Sequence, residues 1–266
     1  MAQIKRLTQF TPKEFLEICP TGSIKTGLKK IRQAKLDLSL IKKNDINSRV
    51  FALRYNIHII RKSLEHTGGA VVVGGSIEKG DSFIVTPTQL GYFLSNDKGL
   101  VEAKHIFEYV ISKNRGKFAD LGGGLGDKSI LATILGFKKA YSVESDVKLS
   151  RWSAAIVKKF FWILPEAIKV RIIQGDFLSL DIKRFNVLYN DTDNNKNEEM
   201  PITWVIEKLV ACQGKAGTVV IIHNGEPFTG EYLKYFNELT ESFKKSSPAT
   251  KNIKCSIYSR NDIPFK

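Results

Sequence analysis

The sequence predicts an α/β protein built on a mostly parallel sheet, with a basic helical segment in front of it. Three observations carry this. From residue 99 onward, apolar runs of strand length alternate with stretches of helical periodicity, the order expected of a parallel sheet. Residues 118–146 read as strand, glycine-rich turn, helix and second strand. The charge is uneven: of a net +14, residues 1–80 supply +9, from 15 Lys/Arg against 6 Asp/Glu.

Residues 1–80 read as a basic helical module and residues 81–266 as the sheet domain. Thr11-Pro12-Lys13-Glu14 resembles a helix start, with Thr as N-cap, Pro in the first turn and Glu three residues after the cap. Ile24, Leu28, Ile31, Leu38 and Ile41 lie near one helical face. Val50, Leu53, Ile57, Ile60 and Leu64 recur by three and four, and Thr67-Gly68-Gly69 ends that second helix. Lys29, Arg32, Arg54 and Arg61 fall outside the apolar stripes and are the candidate nucleic-acid contacts. Residues 70–86 read as two short strands around a glycine-rich turn, and residues 99–112 as the helix leading into the main sheet.

The central segment carries the chemistry. Asp120 closes a short apolar strand, and Gly122, Gly124 and Gly126 follow at alternate positions. Glycine tolerates positive φ and lets the backbone approach a ligand closely. Ile130, Leu131, Ile134 and Leu135 then mark a helix. Glu144 ends the next strand, 24 residues after Asp120, where a carboxylate can accept both ribose hydroxyls of a nucleoside. Further strands are expected at residues 170–174, followed by Gly175-Asp176-Phe177, and at 186–189, followed by Asn190-Asp191-Thr192-Asp193. Two more are expected at 218–222, followed by His223-Asn224, and at 253–259, with helices at 147–161, 201–213 and 231–243 between them. A ligand would lie across the strand ends that hold Asp120, Glu144, Asp176 and Asn190. A dinucleotide is the rival ligand. Its fingerprint wants glycine at the sixth position from Gly122, and Asp127 stands there. A carboxylate at that helix start would repel pyrophosphate.

Composition narrows the class. Hydrophobic content of 42% supports a real core, and no apolar run reaches the length of a membrane span. The first residues lack the apolar block of a signal peptide. Cys19, Cys212 and Cys255 are far apart and form no CxxC, which argues against a disulfide scaffold or structural zinc. An intracellular protein, cytoplasmic or nuclear, with no metal is therefore expected. The basic excess predicts a polyanionic partner, RNA or DNA or a protein bound to them. A lysine-rich solvated surface is the alternative.

These residues resemble the S-adenosylmethionine (SAM) site of class I methyltransferases over roughly residues 100–260. The family's acidic residue and Gly-x-Gly-x-Gly correspond to Asp120, Gly122, Gly124 and Gly126; its second acid corresponds to Glu144 and its third to Asp176. The resemblance implies a Rossmann-like sheet, mostly parallel with an antiparallel last strand, and helices on both faces. It implies SAM as cofactor, with Asp176 on the adenine amino group and Phe177 near the ring. Gln89, Tyr92 and Phe93 fall where that family often closes over SAM. Asn190 and Asp191 fall where the methyl acceptor is met, which makes them the candidate catalytic pair. Asn190-Asp191-Thr192-Asp193 does not match the (Asn/Asp/Ser)-Pro-Pro-aromatic text of exocyclic base-amine enzymes. The lysine and glutamate of cap-type ribose enzymes are missing, and no cysteine sits where an RNA 5-methylcytosine enzyme needs one. A local resemblance to the non-SET histone lysine methyltransferases rests on Asp120-Leu121-Gly122, Val143-Glu144, Phe160, Gly175-Asp176-Phe177-Leu178 and Asn190-Asp191. Charge favours a nucleic-acid acceptor, RNA above DNA. Protein lysine is the alternative, and a non-catalytic nucleic-acid-binding protein is a further one.

Overall fold

The computed structural model describes residues 5–6, 23–39, 45–65, 71–74, 82–85, 94–191, 215–225, 227 and 230–261. The expected features at residues 11–14, 67–69, 89–93 and 192–213 lie outside them. The elements in chain order are β1 (Lys5–Arg6), α1 (Ser23–Gln33), α2 (Ile46–Glu65), β2 (Val71–Gly74), β3 (Ser82–Val85), α3 (Asp97–Ile111) and β4 (Lys117–Leu121). Next come α4 (Asp127–Leu135), β5 (Lys139–Glu144), α5 (Val147–Phe160), β6 (Val170–Gln174) and β7 (Val187–Asn190). The chain continues through β8 (Val219–His223), β9 (Phe236–Glu238), α6 (Thr240–Ser246) and β10 (Cys255–Arg260).

Seven strands form one sheet in the order β6-β5-β4-β7-β8-β10-β9. Strands β4 to β8 pair in parallel, and β10 runs antiparallel to both β8 and β9. The fold is α/β and Rossmann-like, with the expected antiparallel last strand. Alternate side chains along each strand enter different cores, as the two-residue pleat requires. Phe118, Val187, Tyr189, Val219, Ile221 and Ile257 enter one. Ala119, Leu121, Leu188, Val220, Ile222 and Tyr258 enter the other. All six α-helices among the described residues bury side chains in the first core. The second is lined by Ile182 and Phe185 at a short 3-10 turn and by Phe236. The helix expected over residues 201–213 lies outside the described residues.

The basic helices are part of the main core. Ile31 of α1 and Leu53, Ile57 and Ile60 of α2, each at most 2% exposed, share a cluster with Phe118 and Trp152. Helix α1 crosses α5 so closely that a Cβ at Gly27 would collide with the Trp152 ring. The apolar stripe of α1 stops at Gln33, and Leu38 stands exposed beyond it. Asn56 of α2 holds that extension, accepting the Asp37 N–H at 2.7 Å and donating to its carbonyl. The boundary drawn at residue 80 falls between the paired strands β2 and β3, which form a small antiparallel sheet with β1. No helix among the described residues is long and apolar enough to cross a membrane.

From β4 the chain winds outward through β5 and β6, then returns to the opposite side of β4 with β7 and β8. The order reverses between β4 and β7. In open α/β sheets that reversal leaves a crevice beyond the carboxyl ends of the strands, where ligands bind.

Candidate functional site

The glycine-rich turn follows β4 at this crevice. Gly122, Gly124 and Gly126 have φ of 75°, 49° and 80°. These left-handed values explain the alternate glycines, since a Cβ is strained there. The N–H groups of Gly122 and Gly123 donate to the Val143 carbonyl at 3.0 and 2.9 Å, which pins the turn to β5. Glu144 pins it again. One carboxylate oxygen accepts the Gly124 N–H at 3.1 Å and the other the Asp146 N–H at 2.9 Å. Asp146 in turn caps α5 by accepting from Lys148 and Leu149. Burial raises the Glu144 carboxyl, against the pull of these backbone donors. Ser145 supplies a further backbone donor to this carboxylate.

Asp120 is 2% exposed beneath the turn. Burial pushes its carboxyl up to about 7; Lys128 pulls it down, while Asp127, Asp191 and Glu144 push it further up. Asp127 opens α4, is itself buried, and accepts the Ser95 N–H at 2.9 Å. Asp120, Asp127 and Asp191 therefore all bear on the part-buried Lys128 ammonium group. Beyond β6, Asp176 is exposed and Phe177 half-buried, its ring packed on the core that holds Leu121 and Val143.

On the other side of the reversal, Asn190 ends β7, buried, and donates to the Leu121 carbonyl at 3.4 Å. Asp191 is bound on every side. It pairs with Lys128, accepts from the Asn224 amide at 2.9 Å, and lies 3.4 Å from His223 Nδ1. Asn224 adopts φ 57°, a left-handed value that Asn tolerates better than most residues. Burial alone would raise the Asp191 carboxyl. Lys128 and His223 outweigh it and hold the carboxyl well below the usual range. His223 is fully buried at the end of β8, with Nδ1 2.7 Å from the Tyr189 hydroxyl and Nε2 3.3 Å from Glu102 of α3. Burial, with Asp191 and Asp120 adding, raises the Tyr189 phenol well above its ordinary value.

The structure thus brings Asp120, the three glycines, Glu144, Asn190 and Asp191 to one edge of the sheet. Lys29 and Arg32 are exposed on α1. Arg54 is engaged in a two-point ion pair with Asp97 at 2.6 and 2.5 Å, and Arg61 is half-buried. Lys128, Tyr189 and Glu102 are members of the site that sequence reasoning missed. Lys128 had left a signal. A cation in the first turn of a helix opposes the helix dipole, a cost that a carboxylate partner offsets. Among the described residues, no cluster of three or more His, Cys, Asp or Glu has the arrangement of a metal site.

Several solved structures share this architecture in part. An RNA methyltransferase from Salinibacter ruber, in complex with S-adenosyl-L-homocysteine, is 17% identical, and the match covers 61% of this chain and 94% of that one at a TM-score of 0.43. A SAM-dependent methyltransferase from Clostridium acetobutylicum is 19% identical over 51% of this chain and 54% of its own, at a TM-score of 0.35. Protein arginine methyltransferase 10 of Arabidopsis thaliana is 17% identical over 50% of this chain and 37% of its own, at a TM-score of 0.41. These are likenesses of fold at low identity. No family model matches the chain, and no curated protein matches it.

Proposed function

We propose that the chain is a SAM-dependent methyltransferase whose acceptor is a nucleic acid, RNA above DNA. One observation carries the cofactor: an acidic, glycine-turned cradle lies at the point where the strand order reverses. Among the described residues, Asp120, Asp127 and Asp191 bear on the cation Lys128, and Glu144 stands near Asp120. That balance favours a ligand of net positive charge and opposes a pyrophosphate. SAM carries a sulfonium and no phosphate, so the residues fit it. Glu144 would hold its ribose, Asp176 and Phe177 its adenine, and the turn at Gly122, Gly124 and Gly126 its main body beside Asp120. When bound, SAM supplies an electrophilic methyl group.

The acceptor would meet the ends of β7 and β8, at Asn190, Asp191 and Asn224. A carboxyl held as low as Asp191 is a weak base, because a good general base has a pKa near the working pH. Its role in this reading is to hydrogen-bond and orient the acceptor while fixing Lys128 and Asn224. The net charge of +14, with exposed Lys29 and Arg32, supports the nucleic-acid acceptor. The acidity of the site itself suits a cationic acceptor too, and this favours protein lysine as the second reading.

Calorimetric titration with SAM, followed by transfer from radiolabelled SAM to RNA, DNA and histone-like protein pools, tests the proposal. Binding with label in RNA is the expected result. Label only in protein selects the lysine reading. Binding without transfer to any pool selects the non-catalytic one, and absence of binding removes the cofactor assignment.

A further inference from the structure

Three neighbouring strands of the main sheet start from a lysine. Lys117 opens β4 and Lys139 opens β5, and the two are partners in register. Lys169 precedes Val170, the first residue of β6, which pairs with Ala140. All three lysines are exposed. Like charges set directly opposite each other across strands destabilise a sheet. The row therefore opposes folding, and the fold itself gives no reason for it.

The cations continue along the same edge. Arg115 and Lys138 flank the row, both exposed, and the Lys138 N–H donates to the Arg115 carbonyl at 3.2 Å. Lys183 and Arg184 stand exposed just before β7, and Lys215 before β8. Backbone bonds tie these strand starts together. Lys117 donates its N–H to Asn186 Oδ1 at 2.9 Å, and the Asn186 N–H returns to the Lys117 carbonyl at 2.8 Å. The Val219 N–H reaches the Asn186 carbonyl at 2.9 Å. The cations are thus set on the frame of the sheet. Among the described residues, no carboxylate forms an ion pair with Lys117, Lys138, Lys139, Lys169, Lys183 or Lys215. The acids of the segments that feed this edge are engaged. Glu108 of α3 pairs with Lys104, Glu166 before β6 pairs with Arg49, and Asp181 accepts the Lys183 N–H at 3.2 Å.

We infer that this edge, at the amino ends of the parallel strands and opposite the crevice, docks the phosphate backbone of a nucleic acid. From β6 to β8 the strand starts span four strand spacings, about 19 Å. A duplex carries one charge per about 1.7 Å of its axis, or about 11 over that width. An extended acidic peptide turns a side chain to one face at every second residue, about 6.6 Å, and so offers about three carboxylates. The denser polyanion matches the array. Lysines and arginines that neutralise phosphates release counterions, which drives such binding. Docking would also relieve the repulsion within the lysine row. The inference goes beyond the acceptor assignment, since the edge can hold a nucleic acid whether or not the chain methylates it.

The test uses the full chain and a fluorescein-labelled RNA duplex of about 20 base pairs, long enough to cross the edge. Anisotropy titrations between about 50 and 200 mM salt give the slope of log affinity against log salt. Each phosphate contact contributes about 0.9 to that slope, so Lys117→Gln/Lys139→Gln/Lys169→Gln should make it shallower by about 2 to 3. Lys183→Gln/Lys215→Gln lies outside the strands and decides the matter if the first variant does not fold; it should make the slope shallower by about 2. Lys251→Gln/Lys254→Gln removes the same charge at the other end of β8, where the Asn224 N–H donates to the Lys254 carbonyl. It should change the slope less than Lys183→Gln/Lys215→Gln does. Equal slopes in the parent and the folded strand-start and loop variants overturn the docking edge. So does an equal or larger effect of Lys251→Gln/Lys254→Gln, or no duplex binding by the parent at the lowest salt. Polyglutamate that displaces the duplex at equal charge concentration overturns the nucleic-acid occupant in favour of an acidic protein. SAM titration of the parent keeps the two readings apart. Shallower slopes without SAM binding remove the enzymatic reading and leave the edge standing, and label transferred to RNA with equal slopes does the reverse.

Discussion

Asp120→Asn probes the electrostatics of the cradle. The carboxyl is 2% exposed and is raised by burial to about 7. In the unfolded chain the same group titrates at about 3.9. Between these values the folded state keeps a proton that the unfolded state has lost. The sign follows: the contribution of Asp120 is fully present below the unfolded pKa and is lost as pH rises through the folded one. At about 1.36 kcal/mol per unit, the whole window amounts to about 4 kcal/mol, of which about 3 kcal/mol falls between roughly pH 5 and pH 8. Asn cannot ionise, so the variant lacks this slope. Urea unfolding of both proteins across that range, followed by circular dichroism, measures it. The parent should lose about 3 kcal/mol relative to the variant from low to high pH. A difference flat to within about 0.5 kcal/mol would mean that Asp120 titrates like an exposed carboxylate, and the argument from burial would fail. The same shift bears on the cofactor. A cationic ligand favours the ionised form of Asp120, so SAM binding should release a proton near neutral pH and tighten as pH rises. Calorimetry in two buffers of different ionisation heat reads that proton.

Glu144→Ala removes the acceptor for the proposed ribose hydroxyls and for the Gly124 and Asp146 N–H groups. SAM affinity should fall on the order of 10- to 100-fold; a folded variant that binds as before would show that the ribose is held elsewhere. Asp191→Asn should slow methyl transfer by roughly 10-fold or more while SAM affinity stays within about threefold. Loss of SAM binding without a separate rate defect would place Asp191 on the cofactor instead. Lys128→Met leaves Asp191 and Asp120 without their cation, and the urea midpoint should report about 3 kcal/mol of lost stability at neutral pH. Unchanged stability would mean that water already satisfies those carboxylates. Gly27→Ala forces a methyl against the buried Trp152 ring, with an expected cost of about 1–3 kcal/mol. A neutral effect would show that α1 can move away from α5 freely.

The sequence by itself determined the features that depend on neighbouring residues. Three glycines at alternate positions require a turn of left-handed residues, and Gly122, Gly124 and Gly126 make one. Alternating strand and helix periods imply a parallel sheet, and strand-ending acids imply carboxylates along one edge. Asp127, read as hostile to pyrophosphate, lies buried in the first turn of α4. What only the tertiary structure decided is which of these groups meet. His223 reaches Glu102 across 121 residues of chain, and Lys128 reaches Asp191 across 63. Arg54, basic and off the apolar stripe, could be read as a phosphate contact until the fold set Asp97 beside it. The helices of the basic segment could be read as a separate module until Gly27 met Trp152 and Ile57 joined the main core. The physical reason is the range of the forces recorded in each pattern. Periodicity and turn chemistry act over a few residues and leave their mark locally. Ion pairs and helix docking act between surfaces that the sheet order brings together, and the order of the strands in the sheet is not the order in the chain.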